Sequence, residues 1–218
     1  MTLILTALCK DGICICADKI SQTWRNGVLI KTEDNLNKIY RFKSIPLVIF
    51  NHGINKFDNK SWDMLCCEYE KTGHWKDKTL EQISCNFKIF IEGTVVHQLV
   101  SNLQCMPNTE SIKISAFVLC GKDNFSNNFE FYELCWDPDF KFNCWKDKRI
   151  IGSGEGYEKY LKKYLIYNAK LFSVEFWACI NTKRAKEELK KLFFIAKKSR
   201  DKVGGDEFSD NHDIECIT

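Results

Sequence analysis

Thr2 carries a hydroxyl, and once it stands first in the chain it carries a free α-amine on the same residue. Such an amine titrates near pH 7.7–8.0, roughly the basicity needed to take the proton of the neighbouring hydroxyl. This is the threonine form of an activated nucleophile, with the base supplied by the nucleophile's own residue. Met1 precedes a small residue and is therefore open to methionine aminopeptidase, whose action exposes the pair. Three further positions can serve it. Asp18 closes the apolar run 13–17, which the turn Lys10-Asp11-Gly12 folds back on residues 2–9, so a hairpin returns its carboxylate to the chain start. Lys38 opens the next apolar run, Lys38-Ile39-Tyr40, where an ammonium can pair with that carboxylate. The same charge lowers the pKa of a nearby amine and stabilises a developing alkoxide. Gly152-Ser153-Gly154 lies between a short strand and a helix, and so offers a hydroxyl and backbone amides at a helix start.

The elements that must hold these groups follow from periodicity. Residues 2–9 and 13–18 read as a hairpin whose strands are apolar on both faces. Residues 38–42 and 45–50 read as two more strands. Trp62, Leu65, Cys66 and Tyr69 recur at helical spacing, and Gly73 supplies a stop. A second helix is predicted over 79–103, with Thr79 and Gln82 as a capping box. Strands return at 112–120 and 129–135, with short candidates at 140–145 and 148–151. Helices follow at 154–167 and 174–199, and a last strand at 213–217. Strands, two helices, strands, two helices and a strand, without βαβ alternation, disfavour a doubly wound parallel sheet. They suit an α+β fold built as a four-layer αββα sandwich, and 218 residues suit one domain spanning 1–218.

Bulk properties exclude little else. Charged residues make up 28%, and 32 basic against 29 acidic residues leave a net charge of +3, so neither nucleic acid nor an acidic membrane is demanded as a partner. No run reaches the length of a membrane span and no signal peptide opens the chain, so the reading is a cytoplasmic protein. The twelve cysteines include no Cys-x-x-Cys pair, and the four histidines are scattered; they read as free thiols without a zinc site. Cys9, Cys66 and Cys67 read as core thiols and not nucleophiles. Gly152-Ser153-Gly154-Glu155-Gly156 lacks the Gly-Lys-Ser/Thr of a phosphate loop, and no cofactor is implied.

The pattern Thr2, Asp11-Gly12, Ala17-Asp18-Lys19, Asn37-Lys38-Ile39-Tyr40, Gly152-Ser153-Gly154, Arg200-Asp201, Gly204-Gly205 and Asp213-Ile214 resembles the proteasome β-subunits and the bacterial HslV protease. It runs across essentially the whole chain. The resemblance implies an N-terminal-nucleophile hydrolase of peptide bonds in which Thr2 Oγ attacks, its α-amine moves the proton, Lys38 tunes the amine and Asp18 holds Lys38. Ser153 and Asp201 complete the network. An oxyanion donor is implied at the main-chain N–H of Phe50, with Gly53 matching a later glycine of that turn. The segment Asp201–Gly205 lacks the serine that the family carries there. The resemblance further implies a homo-oligomeric ring, unfolded protein or peptide as substrate, and an ATPase unfoldase as partner. The rival readings are an inactive structural subunit that retains Met1, and a hydrolase of a non-peptide amide.

Overall fold

The computed structural model describes residues 2–25, 28–53, 56–57, 60–104, 115–136, 142–145, 151–169, 173–205 and 208–218. The N-terminal half carries β1 (Ile4–Cys9), β2 (Gly12–Asp18), β3 (Ser21–Arg25), β4 (Val28–Glu33), β5 (Ile39–Arg41), β6 (Leu47–Gly53), β7 (Lys56–Phe57) and β8 (Lys60–Ser61). Helices α1 (Trp62–Thr72) and α2 (Leu80–Gln104) follow, and then β9 (Ser115–Lys122), β10 (Phe129–Trp136), β11 (Phe142–Trp145) and β12 (Ile151–Ser153). The chain finishes with α3 (Glu155–Tyr160), α4 (Lys162–Tyr167), α5 (Val174–Cys179), α6 (Thr182–Asp201) and β13 (His212–Ile217). It divides into two compact units, residues 1–39 with 147–218, and residues 40–146.

In the first unit an antiparallel sheet runs in the order β12-β1-β2-β13. Its centre is the N-terminal hairpin, where Ile4 opposes Ala17 and Cys9 opposes Gly12. Leu3, Leu5, Ala7, Cys14 and Cys16 point to one face, as the two-residue period requires, and pack with Leu161, Trp177, Leu189, Leu192, Phe193 and Phe208. That face is the one the helices cover. Ile4, Ile13 and Ile15 on the opposite face are equally buried, which is why neither strand alternates in sequence. The turn of the hairpin is tied to α6: Asp11 Oδ1 accepts from the Thr182 N–H at 2.7 Å, and Asn181 caps the same helix by accepting from Arg184 N at 2.9 Å.

In the second unit the order is β11-β10-β9-β6-β5. Ile49, Phe117, Leu119 and Tyr132 face α1 and α2 through Trp62, Leu65, Tyr69, Phe87 and Ile91. The capping box forms as read: Thr79 Oγ1 accepts from Gln82 N at 3.2 Å and Gln82 Oε1 accepts from Thr79 N at 3.0 Å. Asp123 adds a second acceptor at the same helix start, 2.6 Å from Leu80 N. Gly73 ends α1 at φ 71°, the left-handed conformation that glycine adopts without strain.

The four-layer αββα sandwich is corrected to a mixed α+β arrangement of several small antiparallel sheets and, among the described residues, six helices. Two-stranded ribbons, β3–β4 and β7–β8, stand apart from the larger sheets. The first of these ribbons forms between 18 and 38, where the sequence pattern marks no element. Its strand β4 leaves Val28 and Ile30 about 60% exposed, so there is no buried face to impose a legible pattern. The helix read over 154–167 breaks at Leu161 (φ −120°), and the one over 174–199 breaks at Ile180-Asn181, where the chain turns extended. The candidate strand at 140–145 forms in part as β11, whereas most of the 148–151 candidate lies outside the described residues. Among the described residues no helix is long and apolar enough to cross a membrane, and no group of three or more His, Cys, Asp or Glu could hold a metal ion.

Candidate active site

The hairpin does what its spacing requires. Thr2 stands just ahead of β1 and Asp18 ends β2, and the two strand ends are locked together: the Asp18 N–H donates to Leu3 O at 3.0 Å, and Asp18 Oδ1 accepts from Leu3 N at 2.8 Å. Lys38, two residues beyond the ribbon's return at Leu36, is brought to the same point. Its Nζ donates to Asp18 Oδ1 at 2.8 Å and to Thr2 Oγ1 at 3.0 Å. Thr2, Asp18 and Lys38 are 4%, 1% and 1% exposed, so this is a buried ion pair with a hydroxyl attached.

Burying two charges is costly unless each is fully bonded. Asp18 meets that condition. Its Oδ1 takes Leu3 N and Lys38 Nζ, while its Oδ2 takes Ile20 N at 3.0 Å and Ser209 N at 3.4 Å. Burial pushes the Lys38 ammonium below the usual lysine range, and the Asp18 carboxylate opposes that shift by charge and hydrogen bond.

The other side of Thr2 is closed by the turn that follows β12. Thr2 O accepts from Gly156 N at 3.2 Å. Gly154 lies at φ 87°, and a β-carbon there would overlap the Thr2 carbonyl oxygen and crowd Thr2 Cβ. Only glycine allows the turn so close. Ser153, the hydroxyl proposed from sequence, lies on β12 opposite Ile4; its side chain is outside the described residues.

Asp201 ends α6 and is half-exposed; its Oδ1 accepts from Arg200 Nε at 3.0 Å and Arg200 Nη2 at 2.6 Å. Phe50, 1% exposed, and Gly53 lie on β6 of the second unit, opposite Val118 and Ser115. Met1 lies outside the described residues. Of the thiols weighed from sequence, Cys9 and Cys66 are buried and Cys67 is half-buried, and burial drives the Cys66 thiol well above its ordinary value.

Sequence reasoning missed Ser209, Ile20 and Gly156. Each contributes a backbone N–H, which any residue type can supply, so no side-chain signal marks them. Ser209 is fixed by its own turn, in which Ser209 Oγ accepts from Asn211 N at 2.8 Å and donates to Asn211 O at 2.9 Å.

The fold is shared with solved Anbu (ancestral beta-subunit) structures. Anbu (ancestral beta-subunit) from Yersinia bercovieri superposes with a TM-score of 0.65 at 10% identity, over 99% of this chain and 81% of that one. An Anbu (Gly-1) mutant from Hyphomicrobium sp. strain MC1 gives 0.65 at 11% identity, over 98% of this chain and 80% of that one. No protein-family model matches the chain. No curated protein matches it by sequence. The expected membership among proteasome β-subunits and HslV-type threonine hydrolases is therefore corrected: both structures described are Anbu proteins, and at 10–11% identity the likeness carries the fold alone. Several of the residues behind that expectation, such as Asp11-Gly12, are the turn chemistry that a hairpin of this kind needs and are not a family signature.

Proposed function

We propose that the chain is an amide-bond hydrolase in which Thr2, exposed as the first residue, is the nucleophile, and that its substrates are peptides or unfolded proteins. The observation that carries this reading is the bond from Lys38 Nζ to Thr2 Oγ1 at 3.0 Å, made by an ammonium that Asp18 holds at 2.8 Å. An ammonium donating to Oγ1 uses an acceptor position of the hydroxyl and not its proton, which the α-amine can take. It also places a positive charge where alkoxide character develops.

The Thr2 α-amine takes the hydroxyl proton as Oγ1 bonds to the scissile carbonyl carbon. The resulting ammonium returns that proton to the leaving nitrogen as the C–N bond breaks, and an ester to Thr2 remains. Water, deprotonated by the same amine, then hydrolyses the ester and frees Oγ1. Asp18 and Lys38 keep their charges throughout. Assembly of several copies into a ring belongs to the same proposal.

Thr2→Ala tests the reading. Cleavage of short fluorogenic peptides is expected to fall by about 10³-fold or more, the scale seen when a nucleophile is removed, while the fold is retained. Undiminished cleavage by the variant would sink it.

A further inference from the structure

The turn that carries Ser209 is held by a residue to which the mechanism above gives no part. Arg200 lies in the last turn of α6 and is only 7% exposed. Its guanidinium spreads over the segment 208–210. Nη1 donates to Phe208 O, Nη2 donates to Asp210 Oδ1 at 2.6 Å, and the charged plane lies 4.7 Å from the Phe208 ring centre. Asp201 neutralises it from behind through Nε and Nη2, and Lys197 holds the other oxygen of Asp210 at 2.8 Å. A guanidinium fork is suited to this task because its donors are fixed in one plane.

Two contacts run from that clamped segment to the site. Ser209 N–H reaches Asp18 Oδ2. The Phe208 ring lies where a β-carbon on Gly156 would stand at 2.7 Å, so it backs the glycine whose N–H bonds Thr2 O. Phe208 also packs edge-on against Phe193 at 5.5 Å, which fixes its plane.

We infer that Arg200 is a positioning residue for the Thr2 centre: by clamping 208–210 it holds the Ser209 amide on Asp18 and Phe208 behind Gly156, and so orients both the Asp18–Lys38 pair and Thr2. The inference rests on the proposed function for its kinetic meaning and on the contacts alone for its structural one. Asp201 acts here as the counter-ion of Arg200.

The test is Arg200→Met, with Arg200→Lys as the conservative variant and Asp210→Asn as a milder one on an exposed side chain. The readouts are the titration of Lys38, followed by NMR at its Cε, and kcat and KM on a fluorogenic peptide. Besides Lys38, the titrating groups around Asp18 are Cys16 on β2, Lys19 paired with Asp213 of β13 at 3.1 Å, Lys190, Asp210 in the turn itself, and His212, which interacts with the Asp210 backbone; His212 is titrated in parallel so that its own shift is told apart from that of Lys38. Loss of the Ser209 N–H leaves Asp18 less neutralised, and entry of water relieves the burial of Lys38. Both effects raise the Lys38 midpoint, by about one pH unit. Turnover is expected to fall about tenfold with KM within twofold, because Arg200 does not meet substrate; Arg200→Lys recovers part of both changes. An unchanged Lys38 midpoint in folded Arg200→Met overturns the inference whatever the activity. If Arg200→Met does not fold, Asp210→Asn decides, with an upward shift supporting the inference and none overturning it. A wild-type chain inert towards peptides whose Lys38 midpoint still moves in the variant refutes the proposed function and leaves the inference standing.

Discussion

Replacing Lys38 by Met keeps most of the side-chain volume and removes the charge. The consequence follows from what Asp18 retains. It loses its only cationic bond in the set described, from Lys38 Nζ at 2.8 Å, and keeps three N–H donors, from Leu3, Ile20 and Ser209. Breaking a buried ion pair from one side costs about 3–5 kcal/mol, because the remaining charge stays buried. The three amides favour the lower end, so we predict a loss of about 3 kcal/mol at pH 7.5. In a chain of this size that is a fall in melting temperature of roughly 6–12 °C. Urea denaturation and calorimetry measure it directly. The pairwise nature of the effect is tested by Lys38→Met with Asp18→Asn, which neutralises the orphan; the double variant is expected to lose less than the two single losses added together. A Lys38→Met protein within about 0.5 kcal/mol of wild type, or strictly additive losses, would refute a buried, directly bonded pair at the base of the site.

Two other expectations follow from the same geometry. Gly154→Ala places a side chain at φ 87° against the Thr2 carbonyl, and should cost about 2 kcal/mol in urea denaturation while lowering peptide cleavage by about 10²-fold through displacement of Thr2. Burial, followed by the charge of Lys190, holds the His212 imidazole below its ordinary value, so the unfolded chain binds that proton first as pH falls; stability should drop as pH descends from about 6.5, and His212→Gln should flatten that part of the curve.

The N-terminal hairpin was legible because two apolar runs flanking Lys10-Asp11-Gly12 admit few other pairings, and its register brings Asp18 beside Thr2. Lys38 was legible by its place at the mouth of an apolar strand. The α2 capping box and the Gly73 stop were equally plain, since each rests on a side chain or a φ that only a few residue types supply. The breaks at Leu161 and at Ile180-Asn181 were not, although Asn181-Thr182 carries N-cap chemistry inside what reads as a helical period. There the apolar positions on both sides of each break still face one core, so periodicity alone joins what the backbone separates. The clamp on 208–210 was hidden for a different reason. Arg200 sits in a helix rich in Lys and Arg, where a charged residue ordinarily faces water, and only burial tells it from its neighbours.

The proposed chemistry requires Thr2 to be a nucleophile with its own α-amine beside it. It is tested most directly by treating the purified chain with a peptide epoxyketone, which bonds both the hydroxyl and the α-amine of an N-terminal threonine, and then reading the intact mass and the peptide map. The expected result is a chain lacking Met1 that gains the mass of one inhibitor, located on Thr2, with no adduct on Thr2→Ala. A chain that keeps Met1, or an N-terminal Thr2 that takes up no inhibitor, contradicts it.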